Sequence, residues 1–128
     1  MKILYIEDNP QNMRLVRKML RVGGYQMIEA MDGTTGIEVA AKELPDLILM
    51  DINLPDIDGT EATSRLKKDP TLRDIPVIAL TANAMFGDRE RFLDAGCDGY
   101  LAKPVSKNEL LNTLAYFLNT DASKAARA

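Results

Sequence analysis

Residues 46–51 read Asp46-Leu47-Ile48-Leu49-Met50-Asp51, four consecutive apolar residues closed by a carboxylate. A strand with one solvated face alternates polar and apolar positions. A strand that is apolar throughout is covered on both faces, as in parallel sheets flanked by helices. The same pattern recurs on either side. Upstream, Ile3-Leu4-Tyr5-Ile6 runs straight into Glu7-Asp8, and downstream Val77-Ile78-Ala79-Leu80 runs into Thr81. Met27-Ile28-Glu29-Ala30 is a weaker, more polar strand, and Tyr100-Leu101-Ala102 is a short one before Lys103-Pro104.

Helical segments lie between these runs. Asn9-Pro10 is a helix start, a capping residue with proline at the first helical position. Met13, Val16 and Leu20 then recur at helical spacing until Gly23-Gly24. Ile37, Ala40, Ala41 and Leu44 mark a second helix, ended by Pro45. Asp58-Gly59 opens a third, with Ala62 and Leu66. A fourth, the least periodic, is expected from about Ala84 to Ala95. Ser106-Lys107-Asn108-Glu109 is a capping box, with Val105 and Leu110 placed to staple it. Leu110, Leu111, Leu114, Phe117 and Leu118 form the stripe of the fifth helix. Five strand–helix alternations predict an α/β domain, (βα)5, with a doubly wound five-stranded parallel sheet in the flavodoxin-like order 2-1-3-4-5. The more polar second strand then lies at an edge.

The 128 residues suit one domain, and 46% hydrophobic with 27% charged residues is ordinary globular usage. The net charge of −3 argues against nucleic acid as a partner. No apolar run reaches the roughly 18 residues of a membrane span. The apolar run after Met1-Lys2 is too short for a signal peptide, so a cytoplasmic protein is expected. There is no histidine, which removes Ser-His-Asp and Cys-His catalysis, HExxH zinc sites and any role as a phosphohistidine carrier. The single cysteine, Cys97, forms no internal disulfide and reads as a small buried hydrophobe.

In open α/β sheets, ligands bind beyond the carboxyl ends of the strands where the strand order reverses. The residues at those ends are Glu7-Asp8, Asp51, Thr81 and Lys103. One such aspartate is ordinarily a cap or turn former. Three carboxylates brought together repel and need a compensating cation. Oxygen ligands select a hard one, Mg²⁺, with Mn²⁺ as the alternative. A lysine and a hydroxyl opposite complete the parts that neutralise a phosphoryl group.

These blocks resemble the receiver domain of two-component response regulators, within the CheY-like superfamily. The matching stretches are Tyr5-Ile6-Glu7-Asp8-Asn9, Asp46 to Asp51 with Pro55 and Gly59, Leu80-Thr81-Ala82, and Gly99-Tyr100-Leu101-Ala102-Lys103-Pro104. The chain looks most like the single-domain DivK/CheY-like regulators. The resemblance implies a receiver domain over residues 1–120, followed by a disordered tail over 121–128. It makes Asp51 the phosphoacceptor, with Glu7, Asp8, Asp51 and the backbone carbonyl of Asn53 as metal ligands for Mg²⁺. Thr81 and Lys103 would contact the phosphoryl group, Thr81 and Tyr100 would form the switch, and Asn53 and Asn83 would tune phosphoryl lifetime. A cis peptide at Lys103-Pro104 is implied as well. So are a sensor histidine kinase or histidine phosphotransfer protein as donor and a protein target as reader. No enzyme activity is implied beyond the protein's own phosphorylation and dephosphorylation.

Two further motifs invite other readings. Asp56-Ile57-Asp58-Gly59-Thr60 matches the DxDGT nucleophile motif of haloacid-dehalogenase-type phosphatases, but that motif follows directly on a strand, and here Pro55 intervenes. A loop with Asp58 capping the third helix is the favoured reading. On the first helix, Arg14, Arg17, Lys18 and Arg21 form a basic face, and Leu15, Met19 and Val22 a second apolar stripe. That stripe either packs on the fifth helix or docks a phosphoryl donor. Met85 and Phe86 are candidates for core or for an exposed output patch.

Overall fold

The structure, a computed structural model, describes the backbone of residues 1–82 and 88–127 and the side chains of residues 1–82 and 90–118. The described residues form β1 (Lys2–Ile6), α1 (Pro10–Val22), β2 (Gln26–Ala30), α2 (Gly33–Glu43), β3 (Leu47–Asp51) and α3 (Gly59–Lys68). After these come β4 (Val77–Thr81), α4 (Asp88–Ala95), β5 (Gly99–Ala102) and α5 (Lys107–Arg127). The strands make one parallel sheet in the order β2-β1-β3-β4-β5. The alternation of segments in the sequence led to this order. The first part of the expected fourth helix, with Asn83, Met85 and Phe86, lies outside the described residues. So do the side chains of the expected tail.

Strand periodicity sorts the core into two halves. Ile3, Tyr5, Leu49, Ile78 and Leu80 point to one face and pack against Met13, Val16, Met19 and Leu20 of α1 and Leu110, Leu114 and Leu118 of α5. Leu4, Ile6, Ile48, Met50, Val77 and Ala79 point to the other and meet Ala40 of α2, Ala62 and Leu66 of α3, and Phe92 of α4. Successive residues of a strand face opposite ways, so a strand buried on both sides must be apolar at every position. Cys97 is buried beside Thr63, and burial raises its thiol pKa, as a structural cysteine requires.

Local chemistry fixes the helix ends. Asn9 Oδ1 accepts from the amides of Gln11 at 2.8 Å and Asn12 at 3.1 Å, with Pro10 in the first turn of α1. Asp32 caps α2 through the Thr35 amide, and Asp58 caps α3 through the Thr60 amide at 2.7 Å. Two expectations are corrected. The buried stripe of α2 is Gly33, Gly36 and Ala40, because Gly36 sits where a Cβ would come within 2.4 Å of Ile6. Leu44 is not part of the stripe. It follows the helix as an exposed left-handed residue with φ 48°. On α1, Met19 belongs to the core, whereas Leu15 and Val22 stay 45% and 66% exposed, so they form no stripe packed on α5.

Asp56 ties the loop after β3 to α2. Its carboxylate accepts from the Gly33 amide at 2.8 Å, the Thr34 amide at 2.9 Å and the Thr34 hydroxyl at 2.6 Å. The bonds from Thr34, with that from Gly33, hold the Asp56 carboxyl well below the usual carboxylate range. A depressed native pKa contributes stability that is present above the unfolded value, near pH 4, and is lost as pH falls through the native value. Asp56→Asn is therefore expected to lower the urea midpoint at pH 7, with the gap from wild type narrowing below about pH 4. An equal gap at pH 7 and pH 3 would contradict this.

Candidate functional site

The sheet register builds the site. Ile6 of β1 pairs with Met50 of β3, so the next residues, Glu7 and Asp51, leave the sheet side by side. Asp51 in turn pairs with Leu80 of β4, which sets Thr81 one step further. The Lys103 amide donates to the Thr81 carbonyl at 2.8 Å, placing the lysine at the end of β5. The Lys103-Pro104 peptide is cis, as the resemblance implied. Gly59 closes the loop from the other side. Its amide donates to the Ile52 carbonyl at 2.9 Å, and a Cβ there would come within 2.5 Å of the Asp51 carbonyl oxygen. Only glycine permits that approach of α3 to the strand end.

Glu7 and Asp51 are buried, 1% and 2% exposed, and Thr81 is buried as well. Lys103 Nζ donates to Glu7 Oε1 and to Asp51 Oδ1, each at 2.9 Å. Oxygen atoms of Glu7, Asp8 and Asp51 all lie within 4.8 Å of one another, with Asp8 exposed at the mouth. The Asn53 amide donates to Asp51 Oδ1 at 3.3 Å. Tyr100 lies on β5, partly exposed, with its ring 6.2 Å from that of Phe92. The register thus gathers Glu7, Asp8, Asp51, Thr81 and Lys103 at one end of the sheet, with Asn53 in the bend after β3. Asn83 lies outside the described residues.

Two donors of the site went unread in the sequence. The Tyr5 hydroxyl donates to Glu7 Oε1 at 2.8 Å, and Asn12 Nδ2 to the same oxygen at 3.2 Å. The available signals were a phenol inside an otherwise aliphatic strand and a carboxamide in the first turn of the helix above it.

The two carboxylates are not equivalent. Burial alone would raise the pKa of Glu7, but hydrogen bonding with Asp51, Lys103 and Tyr5 outweighs it and holds this carboxyl at about 2. For Asp51, burial and the neighbouring Glu7 outweigh Lys103 and push the carboxyl up to about 6. Burial would lower the pKa of Lys103, but Glu7 and Asp51 raise it, so the ammonium stays charged. Burial and the Glu7 charge keep Tyr5 a neutral phenol. Three carboxylates face one lysine, so the pocket keeps an excess of negative oxygen. An all-oxygen donor set partly open to solvent fits Mg²⁺, which binds through a few carboxylates and retains waters.

The acid pair in the DxDGT-like stretch is spent elsewhere. Asp58 caps α3, and Asp56 accepts from the Gly33 and Thr34 amides at the start of α2, which accords with the reading of a loop closed by the cap of α3.

Comparison with known proteins agrees with the geometry. The family described as response regulator receiver domain matches residues 3–115. The polar-differentiation response regulator DivK of Brucella anthropi is 44% identical over 116 residues, spanning 91% of this chain and 94% of that protein. The crystal structure of a sensor histidine kinase receiver domain from Pseudomonas aeruginosa PAO1 superposes with a TM-score of 0.86 at 42% identity. The match covers 92% of this chain and 97% of that one, and that structure has a magnesium ion coordinated in its active-site cleft. The Vibrio cholerae chemotaxis protein CheY4 superposes with a TM-score of 0.86 at 27% identity, over 91% of this chain and 98% of that one.

Removing one partner of a buried ion pair costs about 3–5 kcal/mol, because the other charge is left uncompensated. Lys103→Met is therefore expected to destabilise the metal-free protein by about 3 kcal/mol in urea unfolding with chelator present. Adding Asp51→Asn should restore most of the loss. A Lys103→Met chain as stable as wild type in chelator would contradict the charge balance drawn here.

Proposed function

This chain belongs to the response regulator receiver domain family, and we propose that it takes a phosphoryl group onto Asp51 from a phosphohistidine. The observation that carries this reading is the Lys103 ammonium bridging buried Glu7 and Asp51 at the reversal point of the sheet. Glu7, Asp8 and Asp51, with the Asn53 backbone carbonyl, would hold Mg²⁺. That ion, when bound, would neutralise a phosphoryl oxygen and relieve the repulsion among the carboxylates.

The chain's own groups do the rest. Asp51 is the nucleophile: its oxygen forms a bond to phosphorus as the bond from phosphorus to the donor's imidazole nitrogen breaks. Charge develops on the three peripheral oxygens of the transferring group, so positioning and fixed countercharge dominate such a reaction. Lys103 turns from Glu7 toward one oxygen, and the Thr81 hydroxyl and Ala82 amide serve another. Hydrolysis of the acyl phosphate returns Asp51, with Asn53 and Asn83 flanking the path of water and setting its rate. The protein promotes only these reactions of its own aspartate.

The donor is a sensor histidine kinase or a histidine phosphotransfer protein, and the reader is a protein. The signal leaves by a two-state change. Thr81 draws toward the phosphoryl group, Tyr100 rotates into the space beside Phe92, and the surface of α4, β5 and α5 changes shape. Such an exchange with a kinase and a protein target belongs in the cytoplasm.

Incubation with acetyl phosphate and Mg²⁺ is expected to add one phosphoryl mass to wild type, Asp56→Asn and Asp58→Asn, and none to Asp51→Asn, by intact mass. Labelling that persists in Asp51→Asn and vanishes in Asp58→Asn would transfer the chemistry to the phosphatase-like motif.

A further inference from the structure

Tyr5 has no part in the chemistry above, yet its side chain is among the largest fully buried ones. It packs in the half of the core shared by α1 and α5, among Ile3, Leu49, Ile78 and Leu80 of the sheet. A phenylalanine would supply the same ring contact without a hydroxyl to desolvate. A buried tyrosine hydroxyl needs a partner, and the partner here is Glu7 Oε1 at 2.8 Å.

That oxygen receives three donors: the Tyr5 hydroxyl, Asn12 Nδ2 at 3.2 Å and Lys103 Nζ at 2.9 Å. Glu7 Oε2 receives the long contact from the Asn9 amide at 3.3 Å. Among the described residues, Oε1 thus takes three side-chain donors and Oε2 one backbone amide. Lys103 is shared with Asp51, so its bond to Glu7 is the one that turnover breaks. Tyr5 and Asn12 are neutral and anchored in β1 and α1, so they stay when the lysine turns away.

We propose that Tyr5 is a positioning residue for Glu7: with Asn12 it fixes Oε1, presents Oε2 to a divalent cation, and keeps Glu7 hydrogen-bonded while Lys103 serves the phosphoryl group. The proposal rests on the receiver reading of the site. Partners that orient a metal-bound side chain carry about 10- to 100-fold in metal affinity.

The test compares full-length wild type, Tyr5→Phe and Asn12→Ala. Mg²⁺ alone is titrated by calorimetry, and the Glu7 side-chain carboxylate carbon is followed by NMR in metal-free protein. Tyr5→Phe is expected to keep the wild-type unfolding midpoint, to shift the Glu7 carboxylate signal, and to weaken Mg²⁺ about tenfold. Asn12→Ala should weaken it in the same direction. A folded Tyr5→Phe chain with an unmoved Glu7 signal and wild-type Mg²⁺ affinity would overturn the proposal. If Tyr5→Phe does not fold, Asn12→Ala decides on the same two readouts, since residue 12 is only half-buried. Wild type that fails to bind Mg²⁺ would overturn the receiver reading, and this inference with it.

Discussion

One ammonium between two buried carboxylates governs this molecule. Lys103 Nζ lies 2.9 Å from both Glu7 and Asp51, and it reaches them from the far side of the site across β3 and β4. A buried carboxylate pair without a cation would repel and would be costly to desolvate. The lysine keeps the pair folded, but it leaves Asp8 and one charge of the pair uncompensated. The site is compensated enough to stay buried and still keeps an excess of negative oxygen. The two carboxylates differ in kind: hydrogen bonding holds the Glu7 carboxyl low, whereas burial and Glu7 raise that of Asp51.

The sheet serves two purposes at once. Its interior is an apolar slab in which alternate residues of β1, β3 and β4 fill two separate cores. Its carboxyl end is the place where the polar residues at the ends of four strands converge. The parallel register makes the transition abrupt: Met50 is fully buried and apolar, and Asp51 is the next residue. Pre-formed geometry of this kind costs little reorganisation at the moment of reaction. The closeness of α3 depends on Gly59, and the anchoring of the loop between them depends on Asp56.

Much of this was legible in the sequence, because doubly buried strands are apolar at every position and their ends are marked by the first polar residue. Glu7, Asp8, Asp51, Thr81 and Lys103 could each be read that way. The stripe of α2 was half legible: Ala40 is buried and Ile37 packs on the same core, but Ala41 and Leu44 are exposed, and Gly33 and Gly36 take the other buried positions. Close packing on Ile6 selects Gly36, and hydropathy does not record it. The exposure of Leu15 and Val22 was likewise hidden, because an apolar residue at helical spacing carries no information about whether a neighbour covers it. The bonds of Tyr5 and Asn12 to Glu7 depend on side-chain direction across two elements. The Asp56 bridge to α2 joins residues 23 apart in sequence, and no local pattern announces it.

The central claim is that the ends of β1 and β3 build one divalent-cation site around the proposed acceptor, and the most direct measurement is paramagnetic broadening by Mn²⁺ in amide NMR. At substoichiometric Mn²⁺, signals of Glu7, Asp8, Asp51, Asn53 and Lys103 should broaden first, and excess Mg²⁺ should restore them. Broadening that instead begins at exposed carboxylates such as Glu29 and Glu61, or that spreads evenly over the chain, would contradict the account.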